Sequence, residues 1–376
     1  MSLRMKEIVV LSYATRTSGG YMIYKQFIEH LQRHMNGYKY YIIVDPNMVQ
    51  PIIQGVTYIC EQDHSWKRRI YMNQKGWRLF FKERNINPSL IISLQNTGIK
   101  TIIPQIIYYH TSLSFYPNKW NPLKRDERTM FLYKHVYPFF VKSTLSPNTH
   151  VVVQIPFIKK AFSNYYNWPS DKIHVMFPDL DNLDINRIRQ RNYSVDECHF
   201  IYPAVPVAYK QHATIVQAVK IIKEKEMDLA SKLRIYFTMK ESDMPLLSKM
   251  IKKLDLTEQF IFEGVMPHEK LLEYYKSSKG LLFPSSIESL GLPLLEAARF
   301  GLPIIASDLD YVKEVLDGYE GVRCASHNDY EKWADLMIDI CKNNKSIDPL
   351  PNHNSSWPDF FELADNIIEG HIYRHN

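Results

Sequence analysis

The sequence predicts an α/β chain made of two doubly wound halves, and three observations predict it. Short apolar runs alternate with longer polar or amphipathic segments along the chain, the cadence of parallel sheets whose strands are joined by helices. A length of 376 residues, with 45% hydrophobic and 23% charged residues, supplies material for two ordinary cores. The rhythm breaks at residues 177–182, where Pro178, Asp179, Asp181 and Asn182 cluster, and resumes at Phe200. A linker is expected at that break.

Strands are predicted at 7–11, 40–44, 89–93, 105–109, 150–154 and 173–176 in the first half, and at 200–202, 233–238, 259–263, 280–283, 302–306 and 321–323 in the second. Their near-continuous Val, Ile, Leu and Tyr content is that of strands covered on both faces. Pro349, Pro351 and Pro358 then punctuate the tail before an aromatic helical segment at 360–372. The expected domains are 1–182 and 183–352, with 353–376 as a terminal helix.

Bulk properties exclude several classes. No run of eighteen uncharged apolar residues occurs, and the first residues lack the apolar core of a signal peptide, so a cytoplasmic protein is expected. Cys60, Cys198, Cys324 and Cys341 show no paired spacing, which argues against a zinc knuckle or a disulfide frame. Charge is uneven: residues 1–185 carry 23 Lys and Arg against 12 Asp and Glu, although the whole chain is only +6. In that half the clusters around Lys67-Arg68-Arg69, Lys75, Arg78 and Lys82, and around Lys119, Lys124, Arg125, Arg128 and Lys134, are interleaved with Trp66, Trp77, Trp120, Phe115, Tyr116, Phe131 and Tyr133. Cations beside aromatic rings suit an anionic membrane surface or a lipid-phosphate acceptor, while a solvated charged face is the plainer reading of any single cluster. No nucleic-acid module accompanies the charge, so nucleic acid is not an expected partner.

The richest chemistry lies at 280–298. The apolar run ending at Phe283 meets Pro284, a polar loop follows, and a helical pattern starts near Pro293. Gly291 allows close backbone approach, and the amides around Gly291 and Leu292 at a helix start form an anion site suited to a pyrophosphate. Glu288 and Glu296 flank it and can accept hydrogen bonds from sugar or ribose hydroxyls. After the first strand, Gly19-Gly20 form a turn that can bring amides to a ligand; His110 ends the strand at 105–109, and Lys210 follows the strand at 200–202. An isolated glycine pair, histidine or turn lysine is a weak signal.

Taken together, the stretch from Phe262-Glu263-Gly264-Val265 through Glu314-Val315-Leu316 closely resembles the C-terminal domain of retaining glycosyltransferases of family 4, whose signature is two glutamates separated by seven residues, as Glu288 and Glu296 are. The resemblance implies a GT-B fold, two Rossmann-like domains facing a central cleft, the first binding the acceptor and the second the nucleotide sugar, with the last helix crossing back to the first. It implies transfer of a sugar from a nucleotide diphosphate sugar to a hydroxyl, with retention and without a metal or other cofactor. By the same resemblance Glu288 takes the sugar hydroxyls and Glu296 the ribose; Ser289, Leu290, Gly291, Leu292, Gly19 and Gly20 bind the donor; Lys210 meets its diphosphate; Val265 and Met266 meet its base; and His110 lies near the transferred sugar.

One departure stands out. The family carries an arginine a few residues before the lysine, where this chain has Ala204 or Val205; Arg16 is a candidate replacement. The missing arginine keeps open a second reading, a non-catalytic sugar-nucleotide-binding or scaffold protein. Glycoside hydrolysis by the glutamate pair fits less well, since a carboxylate at an anion-binding helix start suits ribose better than proton transfer. Asp179 and Asp181 have the spacing of a metal-binding pair but lie in the expected linker.

Overall fold

The computed structural model describes residues 5–15, 18–115, 117, 119–124, 127–180, 185–194, 196–343, 345–351 and 354–373. Arg16, Tyr116, Arg125, Asp181 and Asn182 lie outside these residues. The chain separates into two compact units, Met1–Asp179 with His353–Asn376, and Leu180–Asn352.

The first unit is built on a seven-stranded sheet of β1 (Glu7–Leu11), β2 (Lys39–Val44), β3 (Val56–Cys60), β4 (Pro88–Ser93), β5 (Gln105–Tyr108), β6 (Thr149–Val153) and β7 (Ile173–Val175). Their order is β3-β2-β1-β4-β5-β6-β7 and every pairing is parallel. The period of two in β1 divides the core. Ile8 and Val10 face Phe27 and Ile28 of the helix Ser18–Leu31, together with Trp357, Phe360 and Phe361 of the last helix Trp357–Tyr373. Val9 and Leu11 face Trp77, Phe81 and Met72 on the other side. The last helix thus belongs to this unit.

The second unit carries β8 (Cys198–Tyr202), β9 (Leu233–Phe237), β10 (Phe260–Phe262), β11 (Gly280–Phe283), β12 (Ile304–Ser307) and β13 (Val322–Ala325), in the order β10-β9-β8-β11-β12-β13. All its pairings are parallel as well. Both sheets reverse direction of winding beside their first strand, between β1 and β4 and between β8 and β11. Doubly wound sheets bind ligands at that switch point, outside the carboxyl ends of the strands.

Two sequence expectations are corrected here. Strand β3 is not among the predicted strands; it forms the sheet edge with only partial burial, so it lacks the apolar run of a central strand. Cys198 and Cys341 are disulfide-bonded, their Cα atoms 5.9 Å apart, against the expectation of four unpaired cysteines. The start of β8 and the helix Tyr330–Lys342 bring together residues 143 apart in sequence, a juxtaposition no local spacing announces. Cys60 and Cys324 are free.

Candidate active site

In the second unit, the carboxyl edge of the sheet gathers most of the predicted residues. Strand β11 is fully buried and delivers the chain to a turn at 284–291, after which Leu292–Arg299 is helical with proline in its first turn. Gly291 sits at the helix entry with φ 75° and ψ 51°, the left-handed region that glycine adopts without strain. No side chain caps this helix; Pro293 has no N–H and the Leu294 amide donates to the Gly291 carbonyl at 2.8 Å, so the amides of Gly291 and Leu292 are the ones left for a ligand or water. The turn is held from several sides. Ser286 donates from its amide and its hydroxyl to the Tyr209 carbonyl at 2.9 and 3.0 Å, the Tyr311 hydroxyl donates to the Ser285 carbonyl at 2.8 Å, and Ile287 and Leu290 are buried beneath it. Ser289 and Leu292 are half-buried.

Gly291→Ala is expected to destabilise the second unit by about 1–2 kcal/mol, since it forces a side chain into the left-handed region and places a methyl 3.1 Å from Leu294. Urea unfolding followed by circular dichroism checks this, and ligand affinity at the turn should fall with it.

Lys210 closes a short 3-10 turn, Ala208–Lys210, after β8. Its ammonium pairs with the Glu288 carboxylate, lies 5.5 Å from the Phe283 ring centroid, and its carbonyl accepts from the Tyr202 hydroxyl. Lysine and glutamate side chains are 12% and 14% exposed, which marks a charge pair reachable from solvent yet screened by protein on most sides. Beside it, His212 is buried with neither ring nitrogen hydrogen-bonded to protein, and burial, then Lys210, pushes its pKa down to about 3.

Glu296 is held at both oxygens: one is 2.9 Å from His268 Nε2, and the other accepts from the Tyr275 hydroxyl at 3.0 Å. Each oxygen keeps a second lone pair for a ligand hydroxyl. Gly264, Val265 and Met266 follow β10 at the same edge, Gly264 with φ 75° and Val265 90% exposed. Ala204 is buried and Val205 exposed where the resembled family has arginine. His268 and Tyr275 were absent from the sequence reading, as were Tyr209 and Tyr311.

The first unit offers a second polar edge. Gly19 and Gly20 are not a turn, as the sequence suggested, but the first turn of the helix Ser18–Leu31. Gly20 sits in close contact there: a Cβ would lie 3.1 Å from Thr15 and 3.3 Å from His110 Nε2. His110 follows β5, its amide donating to Asn96 Oδ1 at 2.6 Å while Asn96 Nδ2 reaches the ring Nε2 at 3.1 Å. Nδ1 is buried without a protein partner. Burial pushes the His110 pKa down to about 4, so the ring is neutral at pH 7. After β2, Asp45 pairs with His64 at 2.6 Å, and Tyr13 stacks on that imidazole at 6.0 Å. The sequence reading did not anticipate this pair.

Acid lability follows from these histidines. His150 is also lowered to about 4, by burial and then by His174 and Lys172. A folded value below the unfolded 6.5 means that the unfolded chain binds more protons between about pH 4 and 6.5. Stability is therefore fully present above pH 6.5 and lost as pH falls through that window. Thermal melts across pH 4–7 should show the midpoint dropping, and His150→Phe should flatten the slope.

Among the described residues, no group of three His, Cys, Asp or Glu side chains is placed to hold a metal, and no helix is long and apolar enough to cross a membrane.

Amides at the switch point of a doubly wound sheet, with Lys210 beside them and Glu288 and Glu296 along one helix entry, form an arrangement that can hold an anion and accept hydrogen bonds from hydroxyl groups. Residues 184–353 match the family described as glycosyl transferases group 1, and the fold is that of GT-B glycosyltransferases. The chain is 22% identical over 235 residues to the O-antigen chain mannosyltransferase RfbU of Salmonella typhimurium, an alignment covering 62% of this chain and 61% of that protein. In fold it is similar to WaaG, a glycosyltransferase involved in lipopolysaccharide biosynthesis, with a TM-score of 0.66 at 12% identity over 96% of this chain and 94% of that one. It is likewise similar to Anabaena HepE in complex with UDP and glucose, with a TM-score of 0.57 at 11% identity over 88% and 89% of the two chains.

Proposed function

We propose that the protein is a retaining glycosyltransferase that moves a sugar from a nucleotide diphosphate sugar to a hydroxyl of a glycan or lipid-linked acceptor, in the assembly of lipopolysaccharide or capsule. The observation that carries this reading is the amide-bearing turn at 284–291 joined by Ser286 to the turn that presents Lys210. Nucleotide-sugar cleavage puts negative charge on a departing diphosphate, and preorganised donors at that charge are the largest single source of rate. Lys210 and the amides of Gly291 and Leu292 are assigned to it. On donor binding Lys210 turns from Glu288 to the phosphate, and Glu288 is released to the sugar hydroxyls. Glu296, oriented by His268 and Tyr275, is assigned to the ribose, and Val265 and Met266 to the base.

The second unit is assigned to the donor and the first, with Gly19, Gly20 and neutral His110, to the acceptor and transferred sugar. Positive charge at the diphosphate comes from lysine and amides, so turnover is expected to proceed without a divalent metal. A cytoplasmic location at the inner face of an anionic membrane fits a lipid-linked acceptor and the basic first half of the chain. The names of RfbU, WaaG and HepE support both donor and pathway class.

A second reading is a sugar-nucleotide-binding protein without turnover, favoured by Ala204 and Val205 in place of the phosphate-site arginine. Mass detection of nucleoside diphosphate released from UDP-, GDP- and ADP-sugars separates the two. Release that depends on an acceptor supports transfer. Binding without release supports the second reading, and absence of binding by every donor removes both.

A further inference from the structure

We infer that the first unit docks on an anionic membrane through one defined face, formed by two helical segments lying side by side at residues 66–83 and 128–144, with a phosphate headgroup entering the cavity at their end. The inference rests on the membrane partner proposed above and assigns its surface.

The first segment is a rod of the helix Trp66–Tyr71, a π-helical stretch Met72–Gly76 and the helix Trp77–Glu83; the second comprises the helices Arg128–His135 and Tyr137–Thr144. They are fastened to each other. The Trp66 ring packs at 5.6 Å from Tyr137 and 6.2 Å from Phe140, and Gln74 donates to the Ser143 hydroxyl at 2.7 Å. Together they hold nine Lys and Arg against one acid, Glu83.

Their outward stripes carry apolar side chains that the fold leaves in water: Tyr71 at 49% and Leu79 at 50% exposure on the rod, Leu132 at 43% and Phe139 at 73% on its neighbour. Lys75, Arg78 and Lys82 recur among them at helical spacing, as does Lys142 on the second segment, and all four are exposed. None of the four takes part in an ion pair among the described residues. Exposed apolar side chains interspersed with unpaired cations whose stems can lie along them match the headgroup boundary of an anionic bilayer.

The face leads to a cavity of about 760 Å³, lined by Arg78, Lys82 and Lys100, by Ser143 and Ser146, and by Ile102, which is 86% exposed. Asn87, Ile103 and Pro147 also line it and precede β4, β5 and β6, and Pro88 is the first residue of β4. It therefore opens at the amino edge of the sheet, away from the carboxyl edge where His110 and Gly20 lie. Three cations around such a volume suit a phosphate ester whose acyl chains stay in the bilayer.

Sedimentation of the full-length chain with phosphatidylcholine vesicles, with and without phosphatidylglycerol, tests this. Binding is expected only to the anionic vesicles. Arg78→Gln with Lys82→Gln should weaken it on the order of thirtyfold, from two cations removed at the surface, and Phe139→Ser should weaken it several-fold, whereas Lys223→Gln on the second unit should change nothing. Excess glycerol phosphate in solution should not displace the protein. Equal binding to neutral vesicles, or a double variant that binds like the parent, overturns the assignment. Nucleoside diphosphate release in solution reports on the transferase reading separately: release with no vesicle binding sinks this inference alone, and vesicle binding lost in the charge variants without any release sinks only the transferase reading.

Discussion

Lys210→Ala is expected to lower turnover on the order of a thousandfold, the typical effect of deleting one preorganised donor to developing charge. Lys210 is the cation at the head of the candidate phosphate turn, and the resembled family's arginine is replaced by Ala204 or Val205. On the proposed function one cation does the work that two share in the resembled family, so its loss should be felt mainly in kcat, since the diphosphate gains charge on the way to the transition state. The variant also leaves Glu288 without its partner in a mostly covered position, which destabilises folding in its own right. A Lys210→Met, Glu288→Gln double variant removes both charges together and should recover the folding loss while remaining inactive. Steady-state kinetics beside thermal melts separates the two effects. An active double variant would show that neither side chain serves the reaction.

The largest stability effect is expected at the other end of the chain. Trp357 is 2% exposed and packs within 5.3–6.4 Å of Phe27, His30, Tyr108, Phe360 and Phe361, while its indole N–H donates to Gln26 Oε1 at 3.1 Å. Trp357→Ala should cost about 3–5 kcal/mol, from lost burial and the cavity left behind, while Gln26 Oε1 keeps the Asp179 amide as a donor at 3.0 Å. Trp357→Phe should cost clearly less. Urea unfolding read by far-ultraviolet circular dichroism measures both. A loss below about 1 kcal/mol for the alanine variant would mean that the last helix is not part of the first unit's core.

Much of this architecture was legible because parallel strands covered on both faces leave uninterrupted apolar runs. Glu7–Leu11 and Gly280–Phe283 have the same bounds in sequence and structure. Val56–Cys60 was not legible, because an edge strand with alternating partial exposure has no such run. Gly19-Gly20 suggests a turn because glycine favours turns; the pair instead opens a helix, where Gly20 is crowded first by Thr15 and then by His110, a neighbour 90 residues on that no local pattern encodes. The turn at 284–291 was legible from Pro284, Gly291 and Pro293, each of which limits backbone choice. The surroundings of Glu296 were not: His268 and Tyr275 come from the helix His268–Ser277, 28 and 21 residues away. The Cys198–Cys341 pairing is hidden for the same reason, since only the folded unit brings the two together.

The most direct measurement is calorimetric titration of UDP, GDP and ADP, each beside its monophosphate, into the parent protein and Lys210→Ala. One nucleoside diphosphate should bind the parent at least tenfold more tightly than its monophosphate, and that margin should vanish in the variant, because the proposed function assigns the second phosphate to Lys210 and the Gly291-Leu292 amides. Equal affinity for di- and monophosphate in the parent, or a margin that survives in the variant, would contradict it.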